Sequence, residues 1–186
     1  KGFEFHPAIY QRRQEINAIV HTHGFWGTAL AGLARPLKIR HNLACFFHED
    51  QALSPDDSFA SIGEAIGTAN TIIIPWHGCI TVGSSIGRAT ALHQTLEEMA
   101  KLDVTLEPSN ASEIPKEWRD KIKNLIDVEA HYLEQTWDLM QRKIKDRENR
   151  ALPSPELIPN VIVSPSLRPF TCSPVPPFSL NFLFCP

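Results

Sequence analysis

Residues 16–24, Ile16-Asn17-Ala18-Ile19-Val20-His21-Thr22-His23-Gly24, read as an apolar strand that ends in two imidazoles. A second stretch, Ile72-Ile73-Ile74-Pro75-Trp76-His77-Gly78, repeats the pattern, a β-branched run closing on a histidine. In an extended segment residues i and i+2 point to the same face, so His21 and His23 can address one ion. Zinc–nitrogen bonds are about 2.0–2.1 Å long. A third imidazole from a second strand would complete a three-ligand set with one position open. An open position separates catalytic zinc sites from closed structural ones.

Outward from these strands, Phe3 to Arg13 reads as a helix packing Phe3, Ile9 and Tyr10 inward. Gly24 to Leu33, rich in Ala, Gly and Leu, suits a helix lying close on a sheet. Leu37 to Phe47 has room for one or two short strands, Ser54 to Ser58 is a loop, and Ser61 to Ala69 a short helix with Gly67 near its end. Thr71 to Trp76 and Ile80 to Gly83 read as strands, turning through Gly83-Ser84-Ser85. From Arg88 the period changes: Ala89, Leu92, Leu96 and Met99 recur at helical spacing. After Pro115, which fits a helix first turn, a second stripe runs through Trp118, Ile122, Leu125, Leu133, Trp137, Met140 and Ile144. Strands mixed with helices, then a long helical end, predict a layered α/β domain.

The 186 residues suffice for one domain with a real core. A net charge of -3 and a pI near 6.2 argue against general nucleic-acid or anionic-membrane binding. No run approaches the roughly 20 apolar residues of a membrane span. Cys45, Cys79, Cys172 and Cys185 show no CxxC spacing and read as free thiols of an intracellular, cytoplasmic protein. Lys1 opens the chain inside what reads as a helix, which predicts a missing front. Residues 151–186 hold most of the 15 prolines and almost no charge, yet carry Phe178, Leu180, Phe182, Leu183 and Phe184. They read as a Pro-rich irregular tail beyond a domain spanning 1–150, with translated non-coding sequence or a truncated end as one explanation.

Read with its flanks, the histidine set resembles the class II aldolase/adducin family. The matching stretches are Gly2-Phe3-Glu4-Phe5-His6-Pro7-Ala8-Ile9-Tyr10, Asn17-Ala18-Ile19-Val20-His21-Thr22-His23, His77-Gly78 followed by Val82-Gly83, and the helix bearing Leu96-Glu97. The resemblance covers roughly residues 2–105, with a weaker echo to about 149. It implies a three-layer αβα sandwich around a mainly antiparallel central sheet, here without its N-terminal part. It implies His21, His23 and His77 as zinc ligands, and homotetramers with sites at subunit interfaces. In the family's enzymes zinc polarises a small hydroxy-carbonyl substrate and stabilises the enolate of a lyase reaction, whether aldol cleavage or decarboxylation. Other divalent metals can use the same imidazoles.

One position departs from the aldolase pattern. Gly2 stands where the aldolases carry a catalytic Glu, and glycine cannot take a proton. Glu4 lies two residues on, about 200° around a helix, and does not replace it. The phosphate-binding loops of the aldolases lie upstream of the matched stretches. A metal-dependent lyase is therefore set beside two alternatives: a non-catalytic, adducin-like module with a cytoskeletal partner, and an inactive fragment.

The remaining candidates read more plainly. His6, with Tyr10 one turn on, reads as packed or capping. His41 and His48 flank Cys45-Phe46-Phe47 at no common zinc spacing and read as structural or solvated. His93 and His131 fall in amphipathic helices and read as partly exposed. Glu4, Glu49 and Asp50 are the carboxylates nearest the site segments in sequence, each expected as a solvated acid. Trp76 walls the pocket or packs. Trp118 and Trp137 belong to core or to a subunit contact, and Lys143-Ile144-Lys145-Asp146-Arg147 is a solvated helix end.

Overall fold

The computed structural model describes residues 5–151, with side chains through 148. Gly2 and Glu4 lie outside the described residues, as do Cys172, Cys185 and the tail from 152. Two compact units divide the chain, Lys1–Gln141 and Arg142–Pro186. Of the second, only the last turns of one helix are described.

The first unit is built on a four-stranded sheet. β1 (Ala18–Thr22) is an edge strand beside β4 (Gly78–Gly83), followed by β3 (Thr71–Ile74) and β2 (Gln51–Leu53). β1 and β3 both pair antiparallel with β4, while β2 pairs parallel with β3. The sheet is therefore mixed rather than purely antiparallel, and the reason is connective. A parallel pair needs a crossover, and α3 (Phe59–Ala65) supplies it between β2 and β3. Ser58 starts that helix, its side chain accepting from the Ser61 amide.

Side-chain alternation gives the sheet two apolar faces. Ile72, Ile74, Ile80 and Val82 face α1 (Phe5–Arg12) and α3, meeting Phe5, Ile9, Ile62 and Ile66. Ile73 and Cys79 face the other way, toward Leu30 and Ala31 of α2 (Phe25–Gly32) and Leu92 and Leu96 of α4 (Ile86–Leu106). Helices on both faces make three layers, the expected αβα sandwich. Each fully buried isoleucine contributes about 1.5–3 kcal/mol.

Residues 37–47 form no strand. The amides of Leu37, Lys38 and Ile39 are taken by the side chains of Gln51, Asp103 and Glu113 rather than by a neighbouring strand. Asn42–Phe47 is a 3-10 helix whose N-cap is His41, accepting from the Leu43 amide, and whose Ala44, Cys45, Phe46 and Phe47 are buried. Asp103, 1% exposed, clamps this segment to α4 through Arg35 at 2.7 Å and Arg40 at 2.8 Å. The helical stripe after Pro115 is broken in two, α5 (Lys116–Asn124) and α6 (Tyr132–Ala151). A π-turn over Leu125–Glu129 and His131 at φ +48° separate them. Trp137 packs on Gly87 of α4, where an added Cβ would fall 2.7 Å from its ring, whereas Trp118 is exposed.

Candidate metal centre

His21 lies in β1, His23 just beyond its end, and His77 in the three-residue turn between β3 and β4. The antiparallel register places Thr22 opposite Cys79, so the two histidine-bearing segments meet at one end of the sheet. The ring centroids form a near-equilateral triangle of 4.9, 5.2 and 4.8 Å. One ligand nitrogen from each residue lies within 4.8 Å of the others.

Gly78 makes this approach possible. A Cβ there would sit 2.8 Å from the Thr22 carbonyl oxygen and 3.1 Å from His23 Cδ2. The turn has a second constraint: Trp76 is held at φ +60°, its amide donating to the Ala31 carbonyl at 3.1 Å. A non-glycine residue in this region costs of order 1–3 kcal/mol. The Trp76 side chain is 78% exposed and is not among the residues lining the shallow pocket of about 380 Å³ beside the histidines. His23, Phe25, Thr28, Ala29 and His77 line that pocket instead.

The donor set suits a divalent cation. His21 Nδ1 is 3.0 Å from the Cys79 carbonyl, which can only accept, so Nδ1 carries the proton and Nε2 is left with its lone pair. Nε2 of His21 and Nε2 of His23 are 3.1 Å apart. Two nitrogens on a tetrahedral zinc stand about 3.3 Å apart, from the bond length and angle. Burial above all, opposed by the Cys79 carbonyl and joined by the neighbouring imidazoles, pushes the His21 imidazole down to about 4. Burial, then His23, lowers His77, with Asp57 opposing. Neutral imidazole is the form that coordinates.

A layer of residues behind the three histidines holds this end of the sheet. Glu97 of α4 accepts from the amides of Trp26 at 3.1 Å and Gly27 at 2.9 Å. It thereby caps α2, whose N-cap Gly24 has no side chain to do so. A Cβ on Gly24 would fall 2.3 Å from the Glu97 carboxylate. His93, expected to be partly exposed, is 5% exposed and lies between Thr22 and Thr81.

The other expected acids and imidazoles lie elsewhere. Glu49 and Asp50 line a separate cavity of about 460 Å³ with Val82 and Gly83 at the far end of β4, roughly 17 Å along the strand. Asp50 is not a free acid: it accepts from Asn70 and pairs with Lys123. His48 is buried, its carbonyl accepting from Lys123, and His6 stacks on Phe5. The carboxylate whose charge reaches His77 is Asp57, in a loop with no sequence mark of a site.

Comparison with known proteins bears on the family and the fold. The family described as class II aldolase and adducin N-terminal domain matches residues 1–104. An L-fuculose phosphate aldolase of Methanococcus maripaludis is 33% identical over 102 residues, 53% of this chain and 56% of that protein. The meiotically up-regulated gene 14 protein of Schizosaccharomyces pombe is 21% identical over 114 residues, 57% of this chain and 44% of that one. The chain thus spans about half the length of these curated relatives. Among solved structures, L-fuculose 1-phosphate aldolase from Glaciozyma antarctica superposes with a TM-score of 0.74 at 27% identity, covering 80% of this chain and 59% of that one.

Proposed function

Because the chain belongs to the family of class II aldolase and adducin N-terminal domains, we propose that it is a metal-dependent, lyase-type enzyme acting on a small hydroxy-carbonyl, sugar-like substrate. His21, His23 and His77 would hold the cation, zinc in the first instance. The observation that carries this reading is their three ligand nitrogens within 4.8 Å of one another. When bound, the cation would supply Lewis acidity that stabilises the enolate left by C–C cleavage or decarboxylation.

The chain's own residues prepare the site. The Cys79 carbonyl fixes the His21 ring so that Nε2 faces the centre. Gly78 lets the β3–β4 turn close on β1. Phe25, Thr28 and Ala29 give the shallow pocket a mainly apolar wall beside the histidines. The same reading takes residues 1–150 as the family domain and 151–186 as a Pro-rich tail, in a cytoplasmic homotetramer. No helix among the described residues is long and apolar enough to cross a membrane.

Metal analysis of the purified protein tests the reading, with His21→Ala and His23→Ala as controls. About one equivalent of zinc in the parent, lost in both variants, is the expected result. A parent with no stoichiometric metal overturns it. Gly2 in place of the aldolase Glu favours a second reading, a non-catalytic adducin-like module. Metal-dependent turnover of L-fuculose 1-phosphate or another hydroxy-carbonyl compound would rule that out.

A further inference from the structure

We propose that His93 of α4 is a positioning residue of the metal centre: through the Thr22 hydroxyl it fixes the end of β1 so that His21 and His23 face one ion. The inference rests on the metal-binding reading above and assigns a role to a residue outside the ligand set.

The argument begins with alternation. Thr22 stands between the two ligands in sequence, so its side chain points to the opposite face of the strand. On that face Thr22 Oγ1 lies 2.7 Å from His93 Nε2. The Gly24 amide donates to the same hydroxyl at 3.2 Å. At the other side of the imidazole, Thr81 Oγ1 is 3.1 Å from His93 Nδ1 and 2.9 Å from the Ala89 carbonyl.

Only one arrangement of protons satisfies these contacts. The Ala89 carbonyl accepts, so Thr81 spends its single hydroxyl proton there. Thr81 must then accept from His93, which places a proton on Nδ1. Neutral His93 is left with Nε2 as acceptor, and it takes the Thr22 proton. The Thr22 oxygen is then free to accept from Gly24. The chain runs in one direction, Gly24 to Thr22 to His93 to Thr81 to Ala89, with no group left over. A buried network that is fully satisfied is rigid.

The consequence falls on the ligands. The Thr22–Gly24 contact closes the backbone around His23, the residue between them, and Gly24 is the N-cap of α2. With His93 replaced by an apolar residue, the Thr22 hydroxyl loses its buried acceptor and is free to turn toward another. The Thr22–Gly24 closure loosens, and with it the direction in which His23 points relative to His21.

The test uses the full chain stripped of metal, the variants His93→Leu, His93→Gln and Thr22→Val, and the double variant His93→Leu/Thr22→Val. Zinc affinity is read by competition with a chromophoric chelator, the cobalt(II) visible spectrum reports ligand geometry, and thermal melts report stability separately. His93→Leu and Thr22→Val should each weaken zinc binding roughly tenfold or more and shift the cobalt(II) bands. The double variant should bind no worse than the weaker single one, since both cut the same chain. His93→Gln, whose amide oxygen can stand in for Nε2, should stay close to the parent. A lowered melting temperature with parental zinc affinity and cobalt(II) spectrum makes His93 a packing residue and overturns the proposal. If His93→Leu does not fold, Thr22→Val decides on the same readouts. A parent that binds neither metal overturns the metal centre itself and this role with it; a parent that binds both, with variants that match it, overturns the positioning role alone.

Discussion

Gly78→Ala should force apart the two strands that bring the histidines together. The new Cβ would lie 2.8 Å from the Thr22 carbonyl oxygen. That oxygen is backbone in the β1–β4 ladder and cannot rotate away as a side chain would. Ordinary contact begins at 3.4 Å, so the strands must open by about 0.6 Å, the difference between 3.4 and 2.8. Forcing a methyl group into a packed site costs about 1–3 kcal/mol. At roughly 2–4 °C per kcal/mol for a chain of this size, the melting temperature should fall by roughly 2–12 °C. The same displacement moves His23 against His21, so zinc affinity should fall about tenfold or more. Gly32→Ala is the matched control, because nothing lies within 4 Å of its Cβ. There the loss of glycine's chain freedom should leave stability unchanged or raise it by about 0.5–1 kcal/mol. Circular-dichroism melts in chelator and zinc titrations measure both. A Gly78→Ala protein that melts with or above the parent, or no lower than Gly32→Ala, would refute the close-approach argument.

Asp103→Ala removes the nearer of two carboxylates on Arg40, whose side chain is 4% exposed, and leaves it Glu107 at 3.4 Å. Breaking a buried pair outright costs about 3–5 kcal/mol, so with Glu107 retained a smaller but clear loss of over about 1 kcal/mol is expected; a loss under about 1 kcal/mol in urea titration would show that Glu107 alone satisfies Arg40. Glu97→Ala removes the acceptor for the Trp26 and Gly27 amides. It should cost about 1 kcal/mol and speed hydrogen exchange at those two amides, and unchanged exchange would count against the capping role. His93, pushed down to about 4 by burial, stays neutral where the unfolded chain protonates. Its contribution is therefore present above the ordinary histidine value of 6.5 and lost as pH falls toward 4, about 3 kcal/mol in all. Urea titrations of metal-free protein between pH 7.5 and 4.5 should show this loss in the parent and a flatter profile in His93→Gln; parallel profiles would remove it.

The strands and the long helix were legible because their periods are local. His21 and His23 mark a face at period two, Ile72-Ile73-Ile74 is a β-branched run buried on both faces, and Ala89, Leu92, Leu96 and Met99 mark one face at helical spacing. Residues 37–47 misled for a physical reason: their apolar character fits a strand, but their amides are claimed by Gln51, Asp103 and Glu113. β2 went unseen because three residues are too few to show a period, and α5 and α6 read as one stripe because the break at His131 is a backbone event. The acids nearest in sequence, Glu49 and Asp50, lie at the wrong end of β4.

By itself the sequence marked the candidate set, since His21 and His23 share a face by strand alternation and the resemblance to the family adds His77, which closes the second apolar run with a glycine beside it. It also determined the layered class, because the spacing of apolar residues decides which faces can be buried. Only the tertiary structure decided how the set is held. That Gly78 must lack a side chain, that the Cys79 carbonyl selects the His21 tautomer, that Glu97 caps a helix 70 positions away in the chain, and that His93 is buried against Thr22 all depend on atoms brought together by folding. A hydrogen bond depends on fractions of an ångström between remote groups, and a periodic pattern along one chain carries no information at that scale.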